Sequence, residues 1–175
     1  YTCNSTLQNN TFYDPVTIWG CQGVNVDDND FIDVGSDRAA VYGIDFTANF
    51  TKNTFAGRIG TGIETDFENK ILFFTDMNIG SEFPNTFSYP VQTGIQVKNA
   101  QLSGTKRVNI SNNIFDNVGI GTEFIGDCRY NHLKNTYANG GLGLQLIQTG
   151  IGKTNLSFCN TYLNQRTFGN QRDRY

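Results

Sequence analysis

A four-residue phrase recurs along the chain: a glycine, an apolar residue, a polar residue, and usually a second apolar one. It reads Gly23-Val24-Asn25-Val26, Gly43-Ile44-Asp45-Phe46, Gly62-Ile63-Glu64-Thr65, Gly94-Ile95-Gln96-Val97, Gly121-Thr122-Glu123-Phe124 and Gly143-Leu144-Gln145-Leu146. Alternation of this kind puts the polar members on one face of a strand. Asn25, Asp45, Glu64, Gln96, Glu123 and Gln145 are therefore expected to form one outward row. Amides and carboxylates in a line suit hydrogen bonding to sugar hydroxyls. Asp45 and Glu64 are expected on adjacent strands, ~5 Å apart at the backbone. That approaches the carboxyl separation of about 5–5.5 Å in retaining glycosidases. Asp66, two residues past Glu64, adds a third carboxylate to the same face, and like charges side by side would raise one pKa to give an acid beside a base. The plain reading is that outward positions on any β-strand in water are polar.

A second recurrence must position this row. Asparagine, any residue and an aromatic return as Asn10-Thr11-Phe12, Asn29-Asp30-Phe31, Asn53-Thr54-Phe55, Asn85-Thr86-Phe87, Asn113-Ile114-Phe115, Asn135-Thr136-Tyr137 and Asn160-Thr161-Tyr162. A period of 19 to 32 residues carrying strand-type alternation marks a stacked repeat. The 19 glycines, abundant Asn and Thr and 14 phenylalanines favour strands and turns, and no long 3.6-residue period appears. The fold class is all-β. Short strands without crossover helices stack in parallel only by winding as a coil, which predicts a column of aromatics inside and a ladder of asparagines at the turns. An antiparallel sandwich with Asn-rich hairpins is the competing arrangement.

Val108-Asn109-Ile110-Ser111-Asn112-Asn113-Ile114-Phe115-Asp116-Asn117 and Gly119-Ile120-Gly121 resemble the repeats of right-handed parallel β-helices of the pectate-lyase-like superfamily. The resemblance implies one β-helix of about seven coils over residues 1–175, one of them lengthened by a loop around Asn69 to Ser81. It also implies a polysaccharide lyase or hydrolase, a tailspike or an adhesin. Lyases of this kind pair calcium with a basic residue; Arg38 and Lys52 are the nearest candidates, and neither sits in a matching motif. The ends carry no capping segment, so the chain reads as a piece of something longer, or as one whose ends are covered by a partner such as the other subunits of a homotrimer.

Other features narrow the classes. A net charge of −3 with scattered Lys and Arg argues against nucleic acid, and no apolar run reaches the ~20 residues of a membrane span. Asp27, Asp28 and Asp30, with Asp33 and Asp37, form an acidic cluster that is a weak calcium candidate, lacking the glycine and terminal Glu of an EF-hand. Cys3 and Cys21 fall at stacking positions of neighbouring coils and are expected to bridge, whereas Cys128 and Cys159 fall in different phases and read as thiols. Trp19 is a candidate for stacking on a sugar, and His132, the single histidine, reads as an exposed turn residue. Sequons begin at Asn4, Asn9, Asn49, Asn109 and Asn155. Three readings stay open: an extracellular module presenting a polar face to polysaccharide or partners, a polysaccharide-degrading enzyme, and a structural spacer.

Overall fold

The computed structural model describes residues 5–67, 75–100, 106–147, 156–164 and 170–172. Twenty-one strands form three seven-stranded sheets, and every strand pairing is parallel. Each coil contributes one strand to each sheet, so the chain is a parallel β-helix of seven coils. Sheet A holds Thr6–Gln8, Gln22–Asp27, Thr47–Thr51, Met77–Gly80, Val108–Ser111, Tyr130–Leu133 and Leu156–Phe158. Sheet B holds Thr11–Phe12, Asp30–Ile32, Thr54–Ala56, Thr86–Ser88, Ile114–Asp116, Thr136–Ala138 and Thr161–Leu163. Sheet C holds Val16–Trp19, Gly35–Ile44, Ile59–Asp66, Val91–Lys98, Ile120–Ile125, Leu142–Ile147 and Asn170–Arg172. No helix occurs among the described residues, and none there could cross a membrane. Part of the expected loop insertion, residues 68–74, lies outside the described residues.

The turn between sheets A and B sets the repeat. The residue before most of the repeating asparagines takes a left-handed conformation, with φ of 57° at Asn9, 55° at Asp28, 56° at Lys52, 59° at Asn112 and 55° at Lys134. Asparagine and aspartate tolerate that geometry because their short side chains bond locally. The chain then turns inward, and Asn29, Asn53, Asn85, Asn113 and Asn135 are buried. Each asparagine donates both its main-chain N–H and its Nδ2 to the Oδ1 of the next, as Asn53 does to Asn85 at 3.0 and 2.9 Å. The second Nδ2 proton goes to main-chain carbonyls, for example from Asn113 to Ile79 at 2.8 Å. Buried amides are costly unless bonded, and here both donors and the acceptor are used.

Two residues on, the aromatics form the predicted interior column. Phe12, Phe31, Phe55, Phe87, Phe115, Tyr137 and Tyr162 stack with successive centroids 5.0, 4.8, 4.6, 4.8, 4.7 and 5.2 Å apart. A strand ladder imposes that spacing. The glycines of the first recurrence make room for it. A Cβ on Gly62, Gly94, Gly121 or Gly143 would lie within 3.0 Å of ring carbons of Phe87, Phe115, Tyr137 or Tyr162, the aromatic of the following coil. The third to sixth coils thus each build the socket for the next ring.

Candidate functional site

Sheet C carries the expected polar row, in a different membership. The register aligns Tyr42 with Glu64, then Glu64 with Gln96, Gln96 with Glu123, and Glu123 with Gln145. Asn25 lies on sheet A, aligned with Asn49 and Thr6. Asp45 follows the end of its sheet C strand in a left-handed corner (φ 49°) and is 2% exposed. The expected single row therefore divides, because Gly23 sits at a bulge of a sheet A strand and Gly43 pairs with Thr65, three residues out of phase with Gly62. Asp45 is three residues beyond Tyr42, the residue that faces Glu64, so these two carboxylates are not cross-strand partners.

Glu64 is instead paired with a cation. Lys98 Nζ donates to Glu64 Oε1 at 2.6 Å. Partial burial pulls the Lys98 pKa down, but the hydrogen bond and charge of Glu64, with the charges of Asp66 and Tyr42, outweigh it and leave the pKa raised. Asp66 Oδ1 accepts from Asn99 Nδ2 at 3.3 Å. Gln96 Nε2 donates to Glu123 Oε2, and Glu123 is buried. With the backbone spacing of ~4.8 Å per coil, Glu64 and Glu123 stand roughly 9.6 Å apart along the ladder.

The stretch Gly35–Ala39 brings a groove to this face. Gly35 faces Ile59 and Ala39 faces Thr61, so two extra residues bulge out of the Gly35–Ile44 strand. The bulge folds over the next coil at Gly60, where an added Cβ would meet Ser36 O at 2.7 Å and Arg38 O at 2.9 Å. Gln92, on the coil after that, donates from Nε2 to Ser36 O at 3.0 Å. Beside this latch runs a groove of about 660 Å³ touching five successive coils at Ser36, Arg58, Tyr89, Gln92, Gly119 and Gly141. Five coils span roughly 19 Å. A further hollow of about 250 Å³ continues past Ser36 and Gln92 to Asp37, Arg38 and Glu64. Tyr89, in a cis Tyr89–Pro90 turn, is 68% exposed at the rim. Arg58 is held at 4.0 Å from Asp33 and keeps most of its side chain in solvent.

Other expected residues are dispersed. Trp19, 75% exposed, borders a separate cleft of about 290 Å³ on the first coil with Leu7, Ile18 and Val24. Asp27 accepts from Thr51 Oγ1 at 2.6 Å on sheet A, while Asp28 and Asp33 occupy left-handed turns and Asp30 points out of sheet B. No group of three or more metal-ligating side chains converges among the described residues. Cys21 is disulfide-bonded; its expected partner Cys3 lies outside the described residues. Cys128 and Cys159 are free thiols, the first buried with its pKa pushed up to about 11 by desolvation.

His132 corrects its expectation. It is fully buried, in the inward column that holds Ile79 and Ile110 on the preceding coils. Its Nε2 is 2.5 Å from Tyr137 Oη, and its Nδ1 is 3.2 Å from Asn160 Nδ2. Because the asparagine amide can only donate, Nδ1 accepts, Nε2 carries the proton and donates to Tyr137, and the Tyr137 hydroxyl is left to donate to Thr122 Oγ1 at 3.0 Å. Desolvation lowers the His132 pKa to about 3. Tyr130, which falls outside the Asn-x-aromatic phase, is also buried and stacks on Phe124 at 3.9 Å. No family model matches the chain, and neither a curated protein nor a solved structure emerges as a relative.

Proposed function

We propose that this β-helix is a saccharide-recognition module working outside the cytoplasm, within a larger adhesin, fibre or tailspike-like protein, and that its ligand lies in the groove beside sheet C. One observation carries the reading: an open groove runs along the stack over five coils and combines an exposed aromatic ring with guanidinium, amide and carboxylate groups. The Tyr89 ring is an apolar platform with a polar tip, suited to one face of a sugar. Arg38, Arg58 and Gln92 supply donors, and Glu64 and exposed main-chain groups supply acceptors. The disulfide at Cys21 supports an oxidising compartment. The stacked aromatics and asparagines support kinship with the pectate-lyase-like β-helices.

Recognition without turnover is the better-supported version. Asp45 is buried, so the catalytic trio of Asp45, Glu64 and Asp66 does not meet in the groove. Lys98 has a raised pKa, which keeps it protonated and unsuited to act as a base near neutral pH. The test is an array of soluble oligosaccharides followed by titration of the best binder against Tyr89→Ala and Arg38→Ala. At least a tenfold weakening by each is expected. An array with no binder, or variants that bind like the parent, would remove the groove from the account. Release of reducing ends that disappears in Glu64→Gln would replace recognition with hydrolysis.

A further inference from the structure

Sheet A carries a second asparagine ladder, on its outer face. Asn25, Asn49, Asn78, Asn109 and Asn131 are in register on five consecutive coils. Asn49 Nδ2 donates to Asn25 Oδ1 at 3.0 Å, and Asn78 to Asn49, Asn109 to Asn78 and Asn131 to Asn109 each at 2.8 Å. An amide has two donors and an oxygen with two lone pairs, so each interior rung keeps one donor and one acceptor for a partner. The rungs recur every ~4.8 Å. They are held by one another, so ordering them on binding costs little entropy.

The flanking outward column is also short and neutral, with Thr51, Gly80 and Ser111 on successive coils. From Asn25 to Leu133, Asp27 is the one charged side chain at an outward position of these strands, and Lys52 sits 4.0 Å from it. Solvated sheet faces ordinarily carry charges that keep other molecules away. This face has almost none, and from Asn25 to Leu133 its outward strand positions carry no aromatic; the nearest exposed ring is Phe83, packed against Lys52 at its edge.

We infer that the outer ladder of sheet A docks an extended, uncharged polysaccharide chain lying along the stack axis. A pyranose hydroxyl both donates and accepts, which matches the spare donor and acceptor of each interior rung, Asn49, Asn78 and Asn109. The rung spacing is comparable with the length of one pyranose along an extended chain, so successive sugars meet successive asparagines. The uncharged face selects a neutral polymer, and the flat amide surface without a ring favours hydroxyl edges over stacking. A second copy of the protein fits less well. Five rungs about two residues wide expose a few hundred Å² at most, against the ~800 Å² per partner of a stable protein interface.

This site is on a different sheet from the groove, so the two can fail separately. Protein made in a bacterial host, leaving the Asn49 and Asn109 sequons as bare amides, is co-sedimented with microcrystalline cellulose, chitin and insoluble mannan. Depletion from the supernatant by at least one is expected, unchanged by Tyr89→Ala and reduced at least tenfold by Asn49→Asp with Asn109→Asp. If the double variant unfolds, Asn49→Asp alone, checked by circular dichroism, gives the same reading with a smaller reduction. No depletion by any of the three solids overturns the inference. So does equal depletion of parent and folded Asp variant, or concentration-dependent self-association that those changes abolish.

Discussion

Acid should loosen the sixth coil, and His132 is the reason. In the folded chain its ring is neutral, buried between Phe124 and Tyr137, with a pKa lowered to about 3 by desolvation. An unfolded histidine takes up its proton near pH 6.5. The folded form binds fewer protons, so the stability it retains above pH 6.5 is lost as pH falls from 6.5 toward 3. The slope is about 1.4 kcal/mol per pH unit for one proton, so by pH 5 the loss reaches roughly 2 kcal/mol. Carboxylates contribute their own acid dependence, and a variant isolates the histidine term. Replacing His132 with Ile and Tyr137 with Phe installs the residue types that preceding coils carry in those columns, Ile79 and Ile110, Phe87 and Phe115. Urea unfolding followed by circular dichroism at pH 7.5 and pH 5.0 should show the parent losing about 2 kcal/mol more than the double variant. Parallel losses within about 0.5 kcal/mol would refute the argument, because the imidazole would then be protonated alike in both states.

Three further outcomes follow from the packing. Asn113→Ala strips the acceptor from both donors of Asn85 and the donor from Ile79 O, and should cost about 2–4 kcal/mol in urea unfolding, whereas Asn109→Ala on the outer ladder should cost under about 1 kcal/mol. Gly94→Ala places a Cβ against the Phe115 ring and Gly121 O, and should lower stability by about 1–3 kcal/mol despite alanine's better strand fit, read as a lower melting temperature. With a thiol reagent at pH 8, exposed Cys159 should react within minutes and buried Cys128 only after unfolding; equal rates would mean that the corner at Cys128 opens freely.

The interior was legible because every coil repeats it. Asn, a spacer and an aromatic keep one phase on all seven coils, and both columns follow from that phase. The outer row was less legible because glycine serves three purposes here. Gly62, Gly94, Gly121 and Gly143 make sockets, whereas Gly23 turns the backbone at φ 76° and Gly43 leaves space for Phe46. A pattern anchored on glycine cannot tell these apart, and so Asn25 and Asp45 were drawn into a row that belongs to Tyr42 and Glu64. The groove left no local signal, since its latch joins Ser36 to Gln92 across 56 residues. His132 looked like a turn residue because it sits beside the turn at Asn135, yet it stands at an inward strand position between Asn131 and Leu133. The polar partner that makes its burial tolerable, Tyr137, was visible as a Tyr in a column of Phe.

The glycine sockets make the stack editable in whole windings. Each winding from the third to the sixth offers a receptacle and an amide acceptor or donor of the same form above and below, so excising residues 108–129 would set Tyr130 onto Met77, Asn135 onto Asn85 and the Tyr137 ring into the hollow at Gly94. A shorter rod with intact internal fittings results, and the same logic permits duplication. Length, and with it the number of places along the outside where another molecule can be held, is therefore a quantity that this architecture can change in single steps without redesigning its interior.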